Sequence, residues 1–360
     1  MNKYILAIDS FKGCLSSIEA EAAASKGIRM SDEGAEIICI PVSDGGEGML
    51  EAFMAALKAE RVEAPVHDPL MRPIIAEYGI KDRLAIIEVA KACGLTLLSE
   101  EERNPLRATS YGVGELILDA INHGCNEFII GLGGTAISDC GIGMLLAIIE
   151  CEKKQNWDEV SYLFANLKII LASDVSNPLY GENGAAYVFA RQKGADDRQI
   201  ELLERKAKTF ADISRKHFGY DFSHTKGAGA AGGLGYAFIQ YMHATMKSGI
   251  ELLLDLLNFD RMMEGTTCVI TGEGRADSQT LMGKLPFGIM EKARSHKIST
   301  CLIAGQIINS NRLRAAGFAD ILNINPLNFP VEDAMKSENA IKNITDTIKQ
   351  YIKGKWNQSR

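Results

Sequence analysis

Five segments of the chain combine glycine with carboxylates and small polar residues directly after an apolar run. They are DSFKG (9–13), SDGGEG (43–48), GLGGTAISDCG (131–141), GAGAAGGLG (227–235) and TGEGRADSQ (271–279). Glycine lets backbone N–H groups approach an anion closely and adopts positive φ at little cost. Carboxylates in the same loops can hold Mg²⁺ or accept a proton. One such loop is equally typical of a tight turn, but five together indicate an enzyme that handles a phosphorylated ligand.

Three aspartates follow directly on apolar runs that are typical of strands: Asp9, Asp44 and Asp174. Ligands of open α/β sheets bind outside the carboxyl ends of the strands. Three carboxylates at such an edge could hold Mg²⁺ with phosphate, and one of them could take a proton from a substrate hydroxyl. The alternative is a helix cap, which is most credible for Asp174 because Asn177 and Pro178 follow it.

Cationic side chains lie in or beside the same glycine-bearing segments. Phosphates and a small carboxylate need such charges for neutralisation, and arginine suits a planar carboxylate because it can bind two oxygens at once. A lone lysine is also typical of a solvated surface, so each position stays open between the two interpretations. The candidates are Lys12, Lys193, Lys284, Arg103 and Arg275.

The glycines themselves are candidates for binding nucleotide phosphates through their N–H groups. They are Gly45, Gly46, Gly133, Gly134, Gly229, Gly232, Gly272 and Gly274. The chain has no Walker A sequence, whereas GLGGTA (131–136) fits the dinucleotide pattern G-x-G-x-x-A. The acid that this pattern needs should end a second strand, but Glu150 and Glu152 directly follow a helical segment. Because the dinucleotide pattern is matched only in part, an NAD-dependent oxidoreductase of a small hydroxy acid is the second hypothesis and not the first.

Alternating strand and helix signals must position these residues. The run at Tyr4–Ile8 predicts a strand, Ser16–Gly27 a capped helix, Glu36–Pro41 a strand, and the alanine-rich stretch to Leu57 a helix. This β-loop-α rhythm is the mark of a parallel sheet with covering helices. After Ala64 short alternating pieces punctuated by proline favour an antiparallel element over 65–98, and parallel units return near 265. We therefore expect an α/β protein with one domain over 1–64 and 266–360 and a mixed domain over 65–265 inserted in it.

The later elements are predicted in the same way. Strands are expected at Asn126–Gly131, Leu167–Ser173, Thr267–Thr271 and Thr300–Ala304, and helices at Ser110–Asn122, Ile142–Glu150, Gly194–Gly219, Tyr236–Met246 and Ala334–Tyr351. In this interpretation the segment TGEGR leaves its strand at Thr271 and is a loop.

Composition narrows the class of protein. The 360 residues are 46% hydrophobic and carry a net charge of −7, with no basic stripe, which argues against a nucleic-acid partner. No stretch reaches the about 18 apolar residues of a membrane span, and the apolar run near the start is too short for a signal peptide, so we expect a cytoplasmic protein. Eight cysteines without a CxxC pair and six histidines without metal spacing indicate neither a disulfide nor a zinc framework.

The ordered segments resemble the glycerate kinase family, the bacterial type that includes glycerate 2-kinases. The segments that carry the resemblance are DSFKG (9–13), PVSDGGEG (41–48), EVAKACGL (88–95), RNPLRATSYGVGELI (103–117), GLGGTAISD (131–139), DVSNPLYGENGAA (174–186), QKGA (192–195), GAGAAGGLG (227–235) and TGEGRADSQTLMGK (271–284). Cys14, Cys140 and Ser43 are small-for-small departures from the family pattern.

The resemblance implies a Rossmann-like parallel-sheet domain and a second mixed α/β domain flanking a cleft. It also implies transfer of the ATP γ-phosphoryl to D-glycerate with Mg²⁺, giving 2-phosphoglycerate or 3-phosphoglycerate and ADP. Small molecules, D-glycerate and ATP, are then the partners, and the sequence leaves the product isomer and the oligomeric state open. A third hypothesis is a carboxylate sensor that kept this fold and lost turnover.

Loop position and residue type suggest roles within such a reaction. One or two of Asp9, Asp44 and Asp174 would hold Mg²⁺, and Asp174 is favoured as the base. Lys12 and Arg275 would stabilise charge on the transferring group.

The three-carbon acid needs a cation for its carboxylate and polar neighbours for its hydroxyls. Arg103 is expected to hold the carboxylate, with Lys284 as a second candidate. Asn104 and Ser110, from the same stretch as Arg103, are further candidates for substrate binding.

Overall fold

The structure is a computed structural model that describes residues 1–42, 48–281 and 284–358. Contacts between residues divide the chain into two units, each discontinuous in sequence. The terminal unit comprises Met1–Asp44, Glu51–Leu57 and Ile250–Arg360, and the central unit comprises Gly45–Leu50 and Lys58–Gly249. The domain boundaries expected at 64/65 and 265/266 stay a prediction.

Strands alternate with helices along most of the chain. The strands are β1 (Lys3–Ile8), β2 (Glu36–Cys39), β3 (Glu60–His67), β4 (Pro73–Lys81), β5 (Leu84–Glu88), β6 (Glu127–Gly131), β7 (Lys168–Ala172), β8 (Thr245–Lys247), β9 (Cys268–Ala276), β10 (Ser299–Ile307) and β11 (Asp320–Asn323).

The helices are α1 (Ser17–Arg29), α2 (Met49–Leu57), α3 (Ala90–Cys93), α4 (Tyr111–Asn122), α5 (Ile142–Cys151), α6 (Ala185–Phe189), α7 (Asp197–Phe218), α8 (Leu234–Met242), α9 (Gly249–Leu256), α10 (Phe259–Met262), α11 (Leu285–Ser295), α12 (Ser310–Ala316), α13 (Val331–Ala334) and α14 (Ser337–Gln358). Within the described ranges, none of these helices combines the length and the apolar character that crossing a bilayer requires.

The terminal unit is built on a parallel sheet with the strand order β11–β10–β9–β1–β2. Its central strands are buried on both faces. Ile303 of β10 packs against residues of α1 and α14 on one face, and the preceding residue, Leu302, packs against Met290 of α11 on the other face. Such strands are near-continuous apolar runs because helices cover both sides of a parallel sheet. The predicted Rossmann-like parallel sheet is confirmed.

Helix α1 begins where the sequence predicts. The Ser16 side chain accepts from the Glu19 backbone N–H, and the Glu19 carboxylate accepts from the Ser16 N–H, which makes a capping box. Near its other end α1 crosses α14 so closely that a Cβ placed on Gly27 would lie 2.5 Å from the Thr345 carbonyl oxygen. The helix pair therefore depends on the missing side chain at Gly27.

The central unit has a mixed sheet with the order β3–β4–β5–β6–β7–β8, antiparallel from β3 to β5 and parallel from β5 to β8. The predicted mixed α/β sheet and the antiparallel pairing of β4 with β5 are confirmed. Pro65 lies inside β3, although the prolines of the 65–98 stretch predicted a break there. A proline is tolerated there because β3 is an edge strand.

Two further element predictions were wrong. The helix expected over Tyr236–Met246 ends at Met242, because His243 adopts a φ of +53°, and Met246 belongs to β8. The segment TGEGR is not a loop: β9 continues to Ala276 and pairs with β10 along that length, from Cys268 to Ala276. Tertiary pairing with a neighbouring strand overrides the low strand propensity of its glycines.

Gly27→Ala should lower the free energy of unfolding of the chain by about 1–3 kcal/mol, because the added methyl group overpacks the crossing of α1 and α14. The matched control is Gly354→Ala in α14, where an added Cβ would meet nothing within 4 Å. Alanine should stabilise that position by up to about 1 kcal/mol through helix propensity. Urea unfolding of the two variants measures both effects, and equal shifts of the same sign would contradict the packing account.

Candidate active site

The carboxyl ends of β1 and β9 meet at one edge of the terminal sheet. The Asp9 backbone N–H donates to the Gly272 carbonyl oxygen at 2.9 Å, and the Asp9 carboxylate accepts from the Ser10 N–H at 2.7 Å. The Asp9 side chain is half-buried. Asp9 therefore lies beside the first glycine of the TGEGR segment.

Glu273 is a further carboxylate at this strand end, and it is not among the site residues predicted from the sequence. It is 7% exposed, accepts from the Thr280 hydroxyl at 2.6 Å and lies 3.9 Å from the Lys284 ammonium. Burial raises the pKa of Glu273, while Thr280, Lys284 and the more distant Lys12 work in the opposite direction. The sequence signal for Glu273 was the density of polar groups beside glycines in this segment. Such a segment is unfavourable for folding, and segments of this kind are expected at functional sites.

At Gly274, β9 lies in ordinary van der Waals contact with the loop that follows β1. A Cβ on Gly274 would lie 3.7 Å from the Phe11 Cα and 3.9 Å from the Lys12 nitrogen. Lys12 itself is exposed. On the other side, the Gly274 carbonyl oxygen lies 2.8 Å from the Cβ position of Gly305, and Asn325 donates to the Gly305 carbonyl at 2.8 Å. The ends of β1, β9, β10 and β11 therefore converge on Gly274.

Arg275 is held at the same edge but points away from the interior. Its Nε lies 3.1 Å from an Asp277 carboxylate oxygen, and its side chain is 61% exposed. Asp277 in turn accepts from the Gln279 N–H at 2.8 Å, and its own N–H donates to Thr280. Among the residues that the structure describes, the guanidinium is thus tethered at one nitrogen.

Some of the predicted ligands cannot be placed. Asp44, Gly45 and Gly46 lie outside the described residues, as do residues 282–283 of the segment that ends at Lys284. Their expected roles stay predictions.

Three glycines predicted to contact nucleotide phosphates are instead buried where two backbones approach each other. A Cβ would lie 2.6 Å from the Ile303 carbonyl oxygen at Gly272, 2.2 Å from the Pro178 carbonyl oxygen at Gly229, and 2.1 Å from the Ile137 carbonyl oxygen at Gly232. Their lack of a side chain serves packing. The contacts with nucleotide phosphates expected at these three positions stay predictions.

Gly133 and Gly134 of the 131–141 loop differ from these three. Gly134 is exposed with a φ of +71°, and Gly133 is half-buried. The loop is fixed by the Leu95 N–H, which donates to the Gly134 carbonyl oxygen at 2.8 Å. Gly133 and Gly134 stay candidates for contact with a ligand.

Ser110 is a structural residue in this arrangement rather than a substrate ligand. It is fully buried, and both its hydroxyl and its N–H donate to the Asp139 carboxylate at 2.8 Å, while the hydroxyl accepts from the Met144 N–H at 2.9 Å. Asp139 also accepts from the Gly141 and Gly143 N–H groups at 3.0 and 3.1 Å. The pair thus joins the start of α4 to the start of α5, which corrects the predicted substrate role of Ser110.

Arg103 has a buried donor that no described residue satisfies. Its Nε is buried and has no hydrogen-bond acceptor among the described residues, and its nearest carboxylate, Glu100, is 4.0 Å from Nη1. A buried donor without a partner is rare in folded proteins. The neighbouring Asn104 side chain is used locally, since its oxygen accepts from the Leu106 N–H at 3.0 Å.

Lys193, the other cation of this region, does not face solvent. It is 3% exposed, and its ammonium donates to the Thr135 hydroxyl at 3.2 Å and to the Ile137 carbonyl at 2.5 Å. Of the two interpretations left open for Lys193, the solvated surface charge is wrong, because the side chain is buried and the protein itself supplies acceptors for its ammonium.

Asp174 lies two residues after the end of β7, at the carboxyl end of the parallel part of the central sheet, and it is exposed. The cap alternative fails, because the next helix, α6, begins at Ala185 with Gly184 at its N-cap. The Ser173 N–H just before it donates to the Lys247 carbonyl at 3.1 Å. The structure thus leaves Asp174 at a sheet edge, where a ligand group is expected.

The GLGGTA segment differs from a dinucleotide fingerprint in its geometry. In that fingerprint the helix opens on the glycines, so that its N-terminus meets the pyrophosphate. Here α5 begins at Ile142, with Gly141 at its N-cap, and the intervening Thr135 and Ile137 bind Lys193. The geometry gives no support to the NAD hypothesis.

No group of three or more histidine, cysteine or acidic side chains is placed to hold a metal ion in the part of the chain that the structure describes. Mg²⁺ seldom needs such a group, because it keeps several waters and uses one or two carboxylates together with substrate phosphates. Asp9 and Asp174, each at a strand end, are of the right chemistry for that mode.

Comparison with known proteins agrees with this picture. The sequence model of the glycerate kinase family matches residues 4–354, and the chain belongs to this family. It is 38% identical over 355 residues to the glycerate kinase of Bacillus subtilis strain 168, covering 93% of each chain. It is also 38% identical over 325 residues to the glycerate 2-kinase of Escherichia coli K12, covering 85% of each.

A solved structure gives the same fold. The crystal structure of a candidate glycerate kinase 2 from Salmonella typhimurium LT2 superposes with a TM-score of 0.86 at 33% identity, and the match covers 100% of both chains. The resemblance recognised in the sequence is therefore confirmed at the level of family and fold.

Glu273→Gln should make the protein more stable than the wild type near neutral pH, with a difference that disappears in acid. Burial raises the pKa of Glu273 above 4.5, so the folded chain holds a proton that the unfolded chain has already lost. Wild-type stability therefore falls as the pH rises through that window, whereas glutamine has no proton to lose. Urea unfolding between pH 4 and 8 measures the difference.

The control is Glu291→Gln on an exposed turn of α11, which should give no comparable trend. A Glu273→Gln curve parallel to that of the wild type at every pH would contradict the burial argument.

Proposed function

We propose that this chain is a glycerate kinase that transfers the γ-phosphoryl group of ATP to D-glycerate and releases phosphoglycerate and ADP. The observation that carries the proposal is the family match along residues 4–354. The polar strand ends support it, because phosphoryl transfer needs positioning and charge neutralisation more than covalent chemistry from the protein.

The terminal unit supplies the charges suited to phosphate. Lys12 and Lys284 both act electrostatically on the Glu273 carboxylate, and Arg275 is tethered at Nε with its side chain 61% exposed. In the proposal Lys12 and Arg275 stabilise the transferring group. Glu273 keeps the two lysines oriented.

Magnesium fits the donor set. Asp9 directly follows β1 in the terminal unit, and Asp174 lies two residues after β7 in the central unit; Asp44 stays a third candidate. One or two of these carboxylates would hold the ion, which supplies charge neutralisation of the phosphate oxygens when it is bound.

The central unit supplies the groups suited to the acid. The Arg103 guanidinium, with its unsatisfied Nε, would bind the carboxylate of D-glycerate. Asp174, exposed at the end of β7, would accept the proton of the attacking hydroxyl. Because the E. coli relative is named glycerate 2-kinase, we propose the 2-hydroxyl as the acceptor.

The test is ADP release by the purified chain with ATP, Mg²⁺ and D-glycerate, with NMR of the phosphorylated product to assign its position. Turnover that requires D-glycerate and gives the 2-phospho isomer is the expected result. The 3-phospho isomer would overturn the regiochemistry alone. Binding of ATP and glycerate without turnover would favour the sensor hypothesis, and reduction of NAD with no use of ATP would favour the oxidoreductase.

Asp174→Asn should lower kcat at least about 100-fold, because asparagine cannot accept the substrate proton. The KM for ATP should stay close to the wild-type value. Asp82→Asn, in the exposed turn between β4 and β5 where the φ is +55°, is the matched control, since asparagine tolerates that conformation as well. A kcat near the wild-type value for Asp174→Asn would reject Asp174 as the base.

Arg103→Ala should raise the KM for D-glycerate at least about 10-fold, as expected for the loss of a charge-assisted hydrogen bond, while the KM for ATP changes little. Arg103→Lys should recover only part of the affinity, because lysine cannot bind two carboxylate oxygens in a plane. Steady-state kinetics with each substrate varied in turn decide the matter. A larger effect on ATP would assign Arg103 to the nucleotide.

A further inference from the structure

Lys193 is a buried cation that the proposed chemistry does not use directly. Its side chain is 3% exposed, and two of its three ammonium hydrogens have protein acceptors, the Thr135 hydroxyl and the Ile137 carbonyl. Burial lowers the pKa of Lys193 to about 8, with Cys93 and Asp139 working in the opposite direction. Keeping a charge in such a place is unfavourable unless its hydrogen bonds do something that an apolar side chain could not.

The acceptors of Lys193 belong to the 131–141 loop. This loop is tied to the 93–95 segment by the Ala136 N–H, which donates to the Cys93 carbonyl at 2.9 Å, and to the glycine-rich 227–235 segment by the Cys140 N–H, which donates to the Gly232 carbonyl at 3.1 Å. Between these two contacts, the Lys193 ammonium donates a hydrogen bond to the Ile137 carbonyl oxygen. Lys193 thus fixes the middle of the loop.

The next residue, Gly194, contacts a different segment. It has a φ of +95°, and a Cβ placed on it would lie 2.4 Å from the Arg103 carbonyl oxygen and 3.1 Å from the Arg103 Cβ. Two consecutive residues therefore contact two segments that are far apart in the chain. Lys193 donates hydrogen bonds to the 131–141 loop, and Gly194 packs against the main chain of Arg103.

Both of these segments carry a buried donor group that no described residue satisfies. One is Nε of Arg103 and the other is the hydroxyl of Ser138, the neighbour of Ile137. Buried polar groups in native proteins nearly always have partners, so two orphans on the two segments that Lys193 and Gly194 hold are a sign of a ligand group. Both groups can donate, and a carboxylate offers acceptors for both.

We propose that Lys193 is a positioning residue for the acid substrate: together with Gly194 it sets the loop at Ser138 and the backbone at Arg103, so that Nε of Arg103 and the Ser138 hydroxyl donate to the carboxylate of the acceptor. The identity of that acid rests on the proposed function. Lys193 acts through these groups and does not itself touch the substrate, because it is enclosed by protein.

Two variants separate the two contacts. Lys193→Met keeps the length and apolar stem of the side chain and removes the ammonium. Gly194→Ala keeps Lys193 and forces the backbone away from Arg103. Lys216→Met, an exposed lysine of α7, is the matched control for loss of a charge in the same unit.

The first measurement is hydrogen exchange of the backbone amides in the absence of any substrate. Lys193→Met should raise exchange at least about 10-fold in segment 135–141, and Gly194→Ala should do so in segment 103–108, which corresponds to local opening made easier by about 1.4 kcal/mol. Amides in the centres of α4 and α7 should exchange as in the wild type. Lys216→Met should leave both segments unchanged.

The second measurement is kinetic. Both variants should raise the KM for D-glycerate at least about 10-fold and leave the KM for ATP within about 2-fold, whereas a merely structural role would change both constants and kcat together. Ser138→Ala should show the same selective rise in KM for D-glycerate, to a smaller degree, since it loses one neutral donor.

The outcomes are distinct. Exchange and kinetics equal to those of Lys216→Met would overturn the proposal, and so would a uniform rise in exchange across the central unit with equal changes in both KM values. If Lys193→Met does not fold, Gly194→Ala and Ser138→Ala still decide it. A wild-type chain without turnover of D-glycerate refutes the proposed function, while the exchange data still report whether Lys193 fixes the loop.

Discussion

The parallel pairing of β1 with β9 is the constraint on which the terminal unit depends. It joins Tyr4 to Cys268 and Ile8 to Gly272, across an insertion that holds the whole central unit. Because parallel strands share a direction, this register brings the two carboxyl ends to one edge, where the Asp9 N–H meets the Gly272 carbonyl. A shift of one residue would turn the Glu273 side chain to the opposite face of the sheet, so register and chemistry are fixed together.

Close backbone approach is the second constraint, and it explains why glycine alone is an ambiguous signal. Gly229 and Gly232 lie against the carbonyl oxygens of Pro178 and Ile137, so a side chain would push two segments of the central unit apart. Gly134, in contrast, is exposed with a left-handed conformation. The same residue type therefore serves packing at one position and is free to meet a ligand at another, and only burial distinguishes the two.

Buried charges are distributed in a way that fits a chemical role. Glu273 and Lys193 are both nearly inaccessible to solvent. Burial raises the pKa of Glu273 and lowers the pKa of Lys193, which favours the neutral form of each. Each is retained with specific partners, Thr280 for the carboxylate and Ile137 for the ammonium. Polar groups that work against stability in this manner are typical of sites where a protein gives up some stability for function.

The sequence alone determined the alternation of parallel strands and helices, the start of α1 at its capping box, and the family, because these rest on local spacing and on the order of short segments. It also placed Asp9 and Asp174 at strand ends. Only the tertiary structure decided that Ser110 binds Asp139, that Gly272 packs against Ile303 and that β9 continues through TGEGR, because those facts depend on neighbours distant in the chain. For the same reason the burial of Lys193 and the unsatisfied Nε of Arg103 could not be read from residue type: a side chain's chemistry is fixed by its sequence, but its solvation is fixed by the fold around it.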